Sequence, residues 1–405
     1  MKRTADVVII GGGCMGASVA YHLTRRSITD VVLVEREKLL ATGSTGRNAG
    51  GVRHQFSNEA NIKLSLESIR LLERFADEVG ESIDFHQDGY LFLLSSPASV
   101  DVFRRNVALQ RSLGVDVEWL DAADALRLAP GLDATGVIAA TFCARDGIAD
   151  PNGVTMGFAK AAQAAGAAIE RDTEVVSLRV DSGRVAAVET TRGTIETRVV
   201  VNAAGPHARA IGLMAGLDVP VDPIRRHIFI ASSNPEPKNA EPRTNNPEPG
   251  TREPEPDWPH SRIMVIDFDT TFYFHREGAG LLFGMGDPDE TPTFDMTVQW
   301  DFLPKVIDVA VRRLPALADA SVSHAWAGLY EMTADGNPIV GPAREVGGLF
   351  LVNGFSGHGF QHSPAAGRIV ADLIAGCDPA FDVTPFALER FARAKARATG
   401  ERYVV

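Results

Sequence analysis

The chain has few cysteines and lacks long apolar runs. Its 405 residues include three cysteines, Cys14, Cys143 and Cys377, which lie far apart and form no CxxC pair. Such a set makes no even disulfide framework, so we expect a reducing, cytoplasmic setting and no metal site. No segment approaches the ~18 uninterrupted apolar residues that a membrane-spanning helix needs, and no membrane span is predicted.

Positive charge is also scarce. Lysine and arginine number 40 against 52 acidic residues, which gives a net charge of -12 and a pI near 5.4. Nucleic-acid binding usually needs a basic face, so no nucleic-acid partner is expected. The chain is 45% hydrophobic, and its length and composition permit a large core divided over about two domains.

A glycine-rich turn near the N-terminus is the most informative motif. The stretch Asp6–Glu35 reads as an apolar strand, the turn GGGCMG, an apolar helix and a second apolar strand. Gly11 permits the turn, Gly13 lets a pyrophosphate approach the backbone, and Gly16 lets the helix pack on the strand. Glu35 ends the second strand, where its carboxylate can accept hydrogen bonds from an adenosine ribose. These features predict a site for NAD or FAD.

A long loop rich in glycine and small hydroxyl residues follows, with the sequence ATGSTGRNAGGVRHQF over Ala41–Phe56. A loop of this length beside a dinucleotide site is often functional, and Ser44, Thr45 and backbone amides can reach phosphates. Two arginines and His54 add positive charge. A solvated basic loop without a ligand is the simpler alternative.

Small residues also follow an apolar strand at VVNAAGP, which contains Ala203 and Gly205. They would let a ligand approach the backbone, although a plain strand-to-helix turn fits equally well. The segment that ends in this strand, Ala168–Asn202, predicts a small antiparallel meander. Asn234–Pro259 is dense in proline and glutamate, so we expect a surface loop there.

A second glycine cluster lies near the C-terminal end, where GLYEMTADGNPIVG precedes a strand and the motif NGFSGHGF. Gly354, Gly357 and Gly359 come directly before a helix predicted over Ser363–Ile374. The N-terminus of this helix would face the same ligand and stabilise negative charge on a reduced flavin. A simple loop is the alternative.

Together these motifs resemble those of the FAD-dependent amine and amino-acid oxidoreductases of the D-amino-acid oxidase superfamily. The likeness covers nearly the whole chain except Asn234–Pro259, and it is greatest to monomeric sarcosine oxidase and the β subunit of L-proline dehydrogenase. It implies FAD in place of NAD, a secondary or N-methyl α-amino acid as the small-molecule substrate, and oxygen or another electron acceptor.

The resemblance also implies the fold and the domain organisation. The expected class is α/β (α+β), with a Rossmann-like FAD-binding domain and a substrate domain built on a mixed or antiparallel sheet. The FAD-binding domain is discontinuous, and its expected segments are 1–84, 150–220 and 326–405. The substrate domain takes 85–149 and 221–325.

Site residues are carried over by position. Arg53 aligns with the arginine that holds the substrate carboxylate in sarcosine oxidase. A guanidinium suits this role because its N–H donors can bind both carboxylate oxygens. Tyr330, Gln361 and His54 complete the residues expected at the reacting end. The residues expected to contact FAD are Gly11, Gly13, Cys14, Met15, Gly16, Glu35, Arg36, Ser44, Thr45, Arg47, Asn48, Ala49, Gly50, Val175, Ala203, Gly205, Gly328, Gly354, Ser356, Gly357, His358, Gly359, Phe360 and Gln361.

Three positions depart from the sarcosine oxidase pattern. Gly328 stands where those enzymes attach flavin through a cysteine, so FAD is expected to bind non-covalently. Gln361 replaces a lysine, although its amide can still donate a hydrogen bond. An apolar residue near Leu282 replaces the lysine that activates oxygen, which puts an oxidase activity in doubt.

The implied reaction is hydride transfer from the substrate α carbon to flavin N5, which gives an imine that water hydrolyses. Tyr330 and Phe274 are expected to shape the cavity. The candidate catalytic bases are His54, His275 and His358, and the sequence does not distinguish among them. The alternatives are an L-proline or D-amino-acid dehydrogenase, or an electron-transferring subunit of a larger complex.

Overall fold

Two large β-sheets organise the chain in the computed structural model, which describes residues 2–232, 258–259, 262–392 and 400–401. The strands are β1 (Val7–Ile10), β2 (Val31–Val34), β3 (Gly51–Val52), β4 (Tyr90–Leu94), β5 (Glu118–Leu120), β6 (Ala139–Cys143), β7 (Gly147–Ile148), β8 (Ala168–Glu170), β9 (Val175–Asp181), β10 (Arg184–Thr190), β11 (Gly193–Glu196), β12 (Val200–Asn202), β13 (Asp222–Ser232), β14 (Met264–Asp267), β15 (Phe272–Glu277), β16 (Gly280–Met285), β17 (Ser321–Met332), β18 (Ile339–Pro342) and β19 (Leu349–Asn353). The α-helices are α1 (Cys14–Thr24), α2 (Glu59–Glu73), α3 (Phe75–Val79), α4 (Pro97–Ser112), α5 (Ala122–Leu128), α6 (Pro151–Ala164), α7 (Ala208–Met214), α8 (Leu303–Arg313) and α9 (Gly359–Ile374).

The first large sheet is mostly parallel. Its six strands run in the order β18-β19-β12-β1-β2-β8, and β18 is an antiparallel edge strand. In β1, Val7 and Ile9 pack into the core that contains α1, α6 and α9. Val8 and Ile10 face the opposite core, towards β9–β11 and α7. Burial on both faces explains why this strand reads as an unbroken apolar run.

The segment Ala168–Asn202 is not a single antiparallel meander, as its sequence predicts. Strands β9, β10 and β11 do form a three-stranded antiparallel sheet. However, β8 pairs with β2 and β12 pairs with β1, both in parallel, within the six-stranded sheet. Periodicity shows that a short segment is a strand but not which distant strand it joins, and the prediction was wrong for that reason.

The second large sheet has eight strands in the order β17-β13-β16-β15-β14-β4-β6-β5. Strands β14 and β4 pair in parallel, and the other neighbours are antiparallel. One face packs against α8 in a core that includes Phe272 and Phe274. Because successive side chains alternate across a strand, Tyr273 points to the opposite face. The predicted fold class, a mixed α/β protein with an FAD-binding sheet and a second mixed sheet, is confirmed.

Helix α9 begins one turn earlier than predicted. The sequence predicted a start at Ser363, after the glycine cluster. The helix instead begins at Gly359 and contains Pro364 in its interior. Since proline has no N–H, the carbonyl of Phe360 loses its usual donor, and the Ser363 hydroxyl donates to it at 2.8 Å.

Two predictions concern segment boundaries. The predicted domain boundary at 326 falls inside β17, which is continuous from Ser321 to Met332, and the two-domain division stays a prediction. Most of the predicted surface loop Asn234–Pro259 lies outside the described residues. Trp258, near its end, is buried in the core below the eight-stranded sheet.

Within the described ranges, no helix has both the length and the apolar character needed to cross a bilayer.

Candidate active site

A large cleft lies between the carboxyl ends of the parallel strands and the face of the eight-stranded sheet that carries Tyr273. Its empty volume is about 2240 Å³, which includes the open solvent at its mouth. The predicted site residues that border it are Gly11, Gly13, Cys14, Met15, Glu35, Arg36, Ser44, Thr45, Arg47, Asn48, Ala49, Arg53, Val175, Ala203, Gly205, Gly328, Tyr330, Ser356, Gly357, His358, Gly359, Phe360 and Gln361. Four predicted residues do not border it: Gly16, Gly50, Gly354 and His54.

The glycine turn at the end of β1 leaves room for a ligand close to the backbone. Gly11 has φ of +111°, and an added Cβ would collide with the carbonyl of Ala203. A Cβ at Gly16 would collide with the carbonyl of Gly11, so Gly16 lets α1 pack on the strand. Helix α1 has glycine as its N-cap and no acidic residue in its first turn. An N-terminus of this kind suits a pyrophosphate, and the residues therefore fit a dinucleotide.

Glu35 is held in a fixed orientation at the end of β2. Its Oε2 accepts a hydrogen bond from Gly12 N at 2.7 Å, and its Oε1 accepts one from Glu37 N at 2.8 Å. Each carboxylate oxygen has a second lone pair for a further donor. Ribose hydroxyls are donors of this type, which agrees with the predicted role of Glu35.

The loop after β2 is anchored to the eight-stranded sheet. Ser44 Oγ donates to the carbonyl of Leu329 at 2.7 Å, and Arg47 Nη1 donates to the carbonyl of Ala327 at 3.0 Å. Thr45 Oγ1 accepts a hydrogen bond from the backbone N–H of Cys14 at 3.1 Å. These bonds tie the loop to α1 on one side and to β17 on the other. It is therefore a structured wall of the cleft and not a solvated basic loop.

The C-terminal glycine cluster forms the opposite wall. Ser356 has φ of +49°, and its N–H donates to the carbonyl of Glu331 at 3.0 Å. Gly357 has φ of +93°, and an added Cβ would collide with the ring of Tyr330. Helix α9 starts two residues later and points its N-terminus at the cleft. Gly354 instead packs on the side chain of Thr333, away from the cleft.

Arg53 and Gln361 lie together at the end of the cleft near β3. Gln361 Oε1 accepts the backbone N–H of Arg53 at 2.6 Å, which leaves its amide N–H groups to offer to a ligand. The Arg53 guanidinium donates to the carbonyl of Gln55 and lies 3.9 Å from the ring centroid of Phe56. Stacking and hydrogen bonding hold this cation in place in a buried position.

His54 lies behind the cleft because Asp146 holds it there. The carboxylate of Asp146 accepts hydrogen bonds from the backbone N–H and from Nδ1 of His54, both at 2.7 Å. Cys143 Sγ lies 3.9 Å from the same ring nitrogen. These three side chains are close enough to resemble metal ligands, but the short contact between His54 and Asp146 is an ordinary hydrogen bond.

His358 borders the cleft, but hydrogen bonds occupy both of its ring nitrogens. Nε2 contacts the carbonyl of Gly336 and Nδ1 contacts Nδ1 of His362, each at 3.1 Å. Burial, together with the nearby charge of Arg53, lowers the pKa of His358 to about 3. The ring is therefore neutral and has no nitrogen ready for a substrate proton. His275 is similarly bound to two backbone carbonyls.

The residues that border the cleft but were not predicted from the sequence include Tyr90, Arg226, Tyr273 and Glu331. The prediction of Phe274 as a cavity residue was wrong, since Phe274 lies in the core on the other face of the sheet. A lone tyrosine in the apolar strand β4 was the available signal for Tyr90, whereas Tyr273 lies between two phenylalanines in β15. To know which face of β15 borders the cleft requires the register of this strand, which the sequence does not provide.

Comparison with known proteins identifies the family. A family model described as DAO, FAD dependent oxidoreductase, matches residues 6–373. Mitochondrial dimethylglycine dehydrogenase from Mus musculus is 30% identical and covers 97% of this chain, but the chain spans only 45% of that protein. The structure of L-proline dehydrogenase from P. horikoshii is 32% identical, with a TM-score of 0.85 and coverage of 97% of this chain and 99% of that chain.

Glycine oxidase from Geobacillus kaustophilus is a further structural relative. It is 28% identical, with a TM-score of 0.81, and the match covers 96% of this chain and 99% of that chain. The predicted family and the prediction of FAD in place of NAD are confirmed. The chain belongs to the DAO family of FAD-dependent oxidoreductases.

Proposed function

We propose that the protein oxidises a secondary or N-methyl α-amino acid of the sarcosine type. The observation that carries this proposal is the buried guanidinium of Arg53, stacked on Phe56 beside Gln361 and Tyr330 at one end of the cleft. A fixed guanidinium in a site of low dielectric binds a carboxylate strongly and in one orientation. Bound FAD supplies the redox chemistry, which removes a hydride from the substrate α carbon and leaves an imine for water to hydrolyse.

The chain's own contribution is orientation. Arg53 anchors the carboxylate, while the amide of Gln361 donates a hydrogen bond nearby. The rings of Tyr90, Tyr273 and Tyr330 line the wall formed by the eight-stranded sheet. Burial raises the pKa of Tyr330, so its hydroxyl stays protonated and is a hydrogen-bond donor at neutral pH. These groups fix the substrate so that its α C–H can react.

An anaerobic substrate panel tests this proposal. The purified FAD enzyme is mixed with sarcosine, dimethylglycine, L-proline, glycine and D-alanine, and flavin absorbance is followed. We expect sarcosine or dimethylglycine to bleach the flavin fastest. Glycolate, which has a hydroxyl in place of the amine, is the control and should leave the flavin oxidised. Bleaching by D-alanine alone would refute the preference for secondary amines.

L-Proline dehydrogenation is the second candidate. It is favoured by the 32% identity and TM-score of 0.85 to the L-proline dehydrogenase structure over nearly all of both chains. Proline is itself a secondary α-amino acid, so Arg53 would anchor it in the same way. The ratio of the flavin reduction rates with L-proline and with sarcosine decides between the two candidates.

We further propose non-covalent FAD and an electron acceptor other than oxygen. Gly328 borders the cleft without a side chain, which favours release of FAD into solution when the protein is denatured in acid. Gln361 and an apolar residue near Leu282 stand where the resemblance implies lysines, so we expect reoxidation by a dye to be faster than by oxygen. Fast peroxide formation by a single species in gel filtration would refute both this preference and the role as a subunit of a complex. The cytoplasmic setting stays a prediction from the cysteine count.

A further inference from the structure

Arg226 borders the cleft on the side formed by the eight-stranded sheet. It lies on β13, where its backbone is paired with Gly328 of β17. Residues paired across antiparallel strands project on the same face, and Tyr330 projects there too because it is two residues from Gly328. Accordingly, the guanidinium carbon of Arg226 lies 5.3 Å from the ring centroid of Tyr330.

The charge of Arg226 is not neutralised within the described part of the chain. Its Nη1 donates to the carbonyl of Arg225 at 3.0 Å, while its Nε is buried and has no hydrogen-bond partner. No described carboxylate forms an ion pair with it. A buried guanidinium N–H without an acceptor is costly, and the cost disappears when a ligand supplies one.

Two other buried or half-buried arginines contrast with Arg226. Arg225, the preceding residue, points to the opposite face and binds Glu290 at 3.1 Å and Asp295 at 2.9 Å. Arg313 binds Asp267 at 2.6 Å. The fold thus places carboxylates beside arginines that it uses for structure. No described carboxylate forms an ion pair with Arg226, which borders the cleft.

We infer that Arg226 binds a second carboxylate of the substrate, so that the preferred substrate is an acidic α-amino acid. This inference rests on the proposed function, in which Arg53 holds the first carboxylate. Arg226 and Arg53 both border the cleft, as does Tyr330, and the positive charges of both arginines oppose the rise in the pKa of Tyr330 that burial causes. A substrate with two carboxylates, the second on its side chain or its nitrogen substituent, would contact both arginines.

Binding of inert acids to the FAD enzyme tests the inference. Glutarate and pentanoate share a five-carbon chain, lack an amine, and differ in the second carboxylate. Their Kd values are measured by calorimetry and by the change in flavin absorbance. We expect wild-type enzyme to bind glutarate on the order of tenfold or more tightly than pentanoate, as a charge-assisted contact allows.

Three variants locate the effect. Arg226→Gln should abolish the preference for glutarate and leave the Kd of pentanoate nearly unchanged. Arg226→Lys should keep part of the preference, since it retains the charge but not the fork. Arg312→Gln removes one charge from an exposed position on α8 and is the matched control, which should keep the full preference.

Equal Kd values for the two acids in the wild-type enzyme would overturn the inference, and so would a preference that survives in Arg226→Gln. The outcome is separable from that of the proposed function. Bleaching by sarcosine without a glutarate preference refutes only the role of Arg226. A glutarate preference that depends on Arg226, in an enzyme that no secondary amine reduces, refutes only the proposed reaction.

Discussion

Glu331 is a carboxyl group whose ionisation should destabilise the protein. It borders the cleft on β17, and the backbone N–H of Gly354 is its hydrogen-bond donor. Burial raises its pKa from the usual 4.5 to about 7. Glu331→Gln keeps the shape and the acceptor oxygen but cannot ionise. Comparing the two proteins across pH therefore isolates the cost of the charge.

The sign follows from proton binding. Between pH 4.5 and about 7 the folded state keeps the Glu331 proton that the unfolded state releases. The free energy of unfolding of wild-type protein must therefore fall as pH rises through this window. A change in pKa of this size corresponds to about 3 kcal/mol, at ~1.4 kcal/mol for each pH unit. Bound FAD carries negative phosphates, which favour the protonated form and so preserve the sign in the FAD enzyme.

Thermal unfolding at pH 5 and pH 8.5 is the assay. For a chain of this length, 1 kcal/mol shifts Tm by roughly 1 to 2 °C. We expect equal Tm values at pH 5, and at pH 8.5 a Tm for Glu331→Gln that is higher than that of wild type by on the order of 5 °C. Glu345→Gln, at an exposed position, is the matched control and should follow wild type at both pH values. A difference that is independent of pH, or that grows as pH falls, would refute the reasoning.

Three further predictions concern the cleft and its support. Arg53→Lys keeps the charge but loses the guanidinium fork, so the Kd of a carboxylate substrate in anaerobic flavin titration should rise on the order of tenfold or more; an unchanged Kd would remove Arg53 from the carboxylate site. Gly16→Ala places a Cβ against the carbonyl of Gly11, so the purified protein should lose most of its FAD, measured by the ratio of absorbance at flavin and protein wavelengths. Full occupancy would contradict the predicted role of that glycine. Asp146→Ala leaves two donors of His54 without an acceptor in a fully buried site. The free energy of unfolding, measured in urea, should therefore fall by about 3 kcal/mol. A near-zero change would show that water replaces the carboxylate.

The dinucleotide end of the cleft was predictable because its parts are local in sequence. Gly11, Gly16 and Glu35 lie within one strand–helix–strand unit, and each role depends on a missing Cβ or on the end of a strand. The start of α2 is local in the same sense, since the side chain of its N-cap Asn58 accepts a hydrogen bond from the backbone N–H of Asn61, only three residues away. Such interactions form with little dependence on the rest of the chain.

The roles of the histidines were not predictable in this way. His54 is adjacent to Arg53 in the sequence, yet it faces Asp146, a residue 92 positions away. His358 lies within the expected motif, but its ring bonds to His362 and to the carbonyl of Gly336, which leaves it neutral. A side chain's partners decide whether it can accept a proton, and those partners come from distant segments.

By itself, the sequence determined the family, the cofactor and the turn that receives the dinucleotide, because glycine spacing and strand ends are properties of short segments. The tertiary structure alone decided which residues share the cleft. The register between β13 and β17 turns Arg226 towards the cleft and Arg225 towards its carboxylates, although the two are neighbours in the chain. A shift of one residue in that register would exchange them, because the side chains of a strand alternate between its two faces.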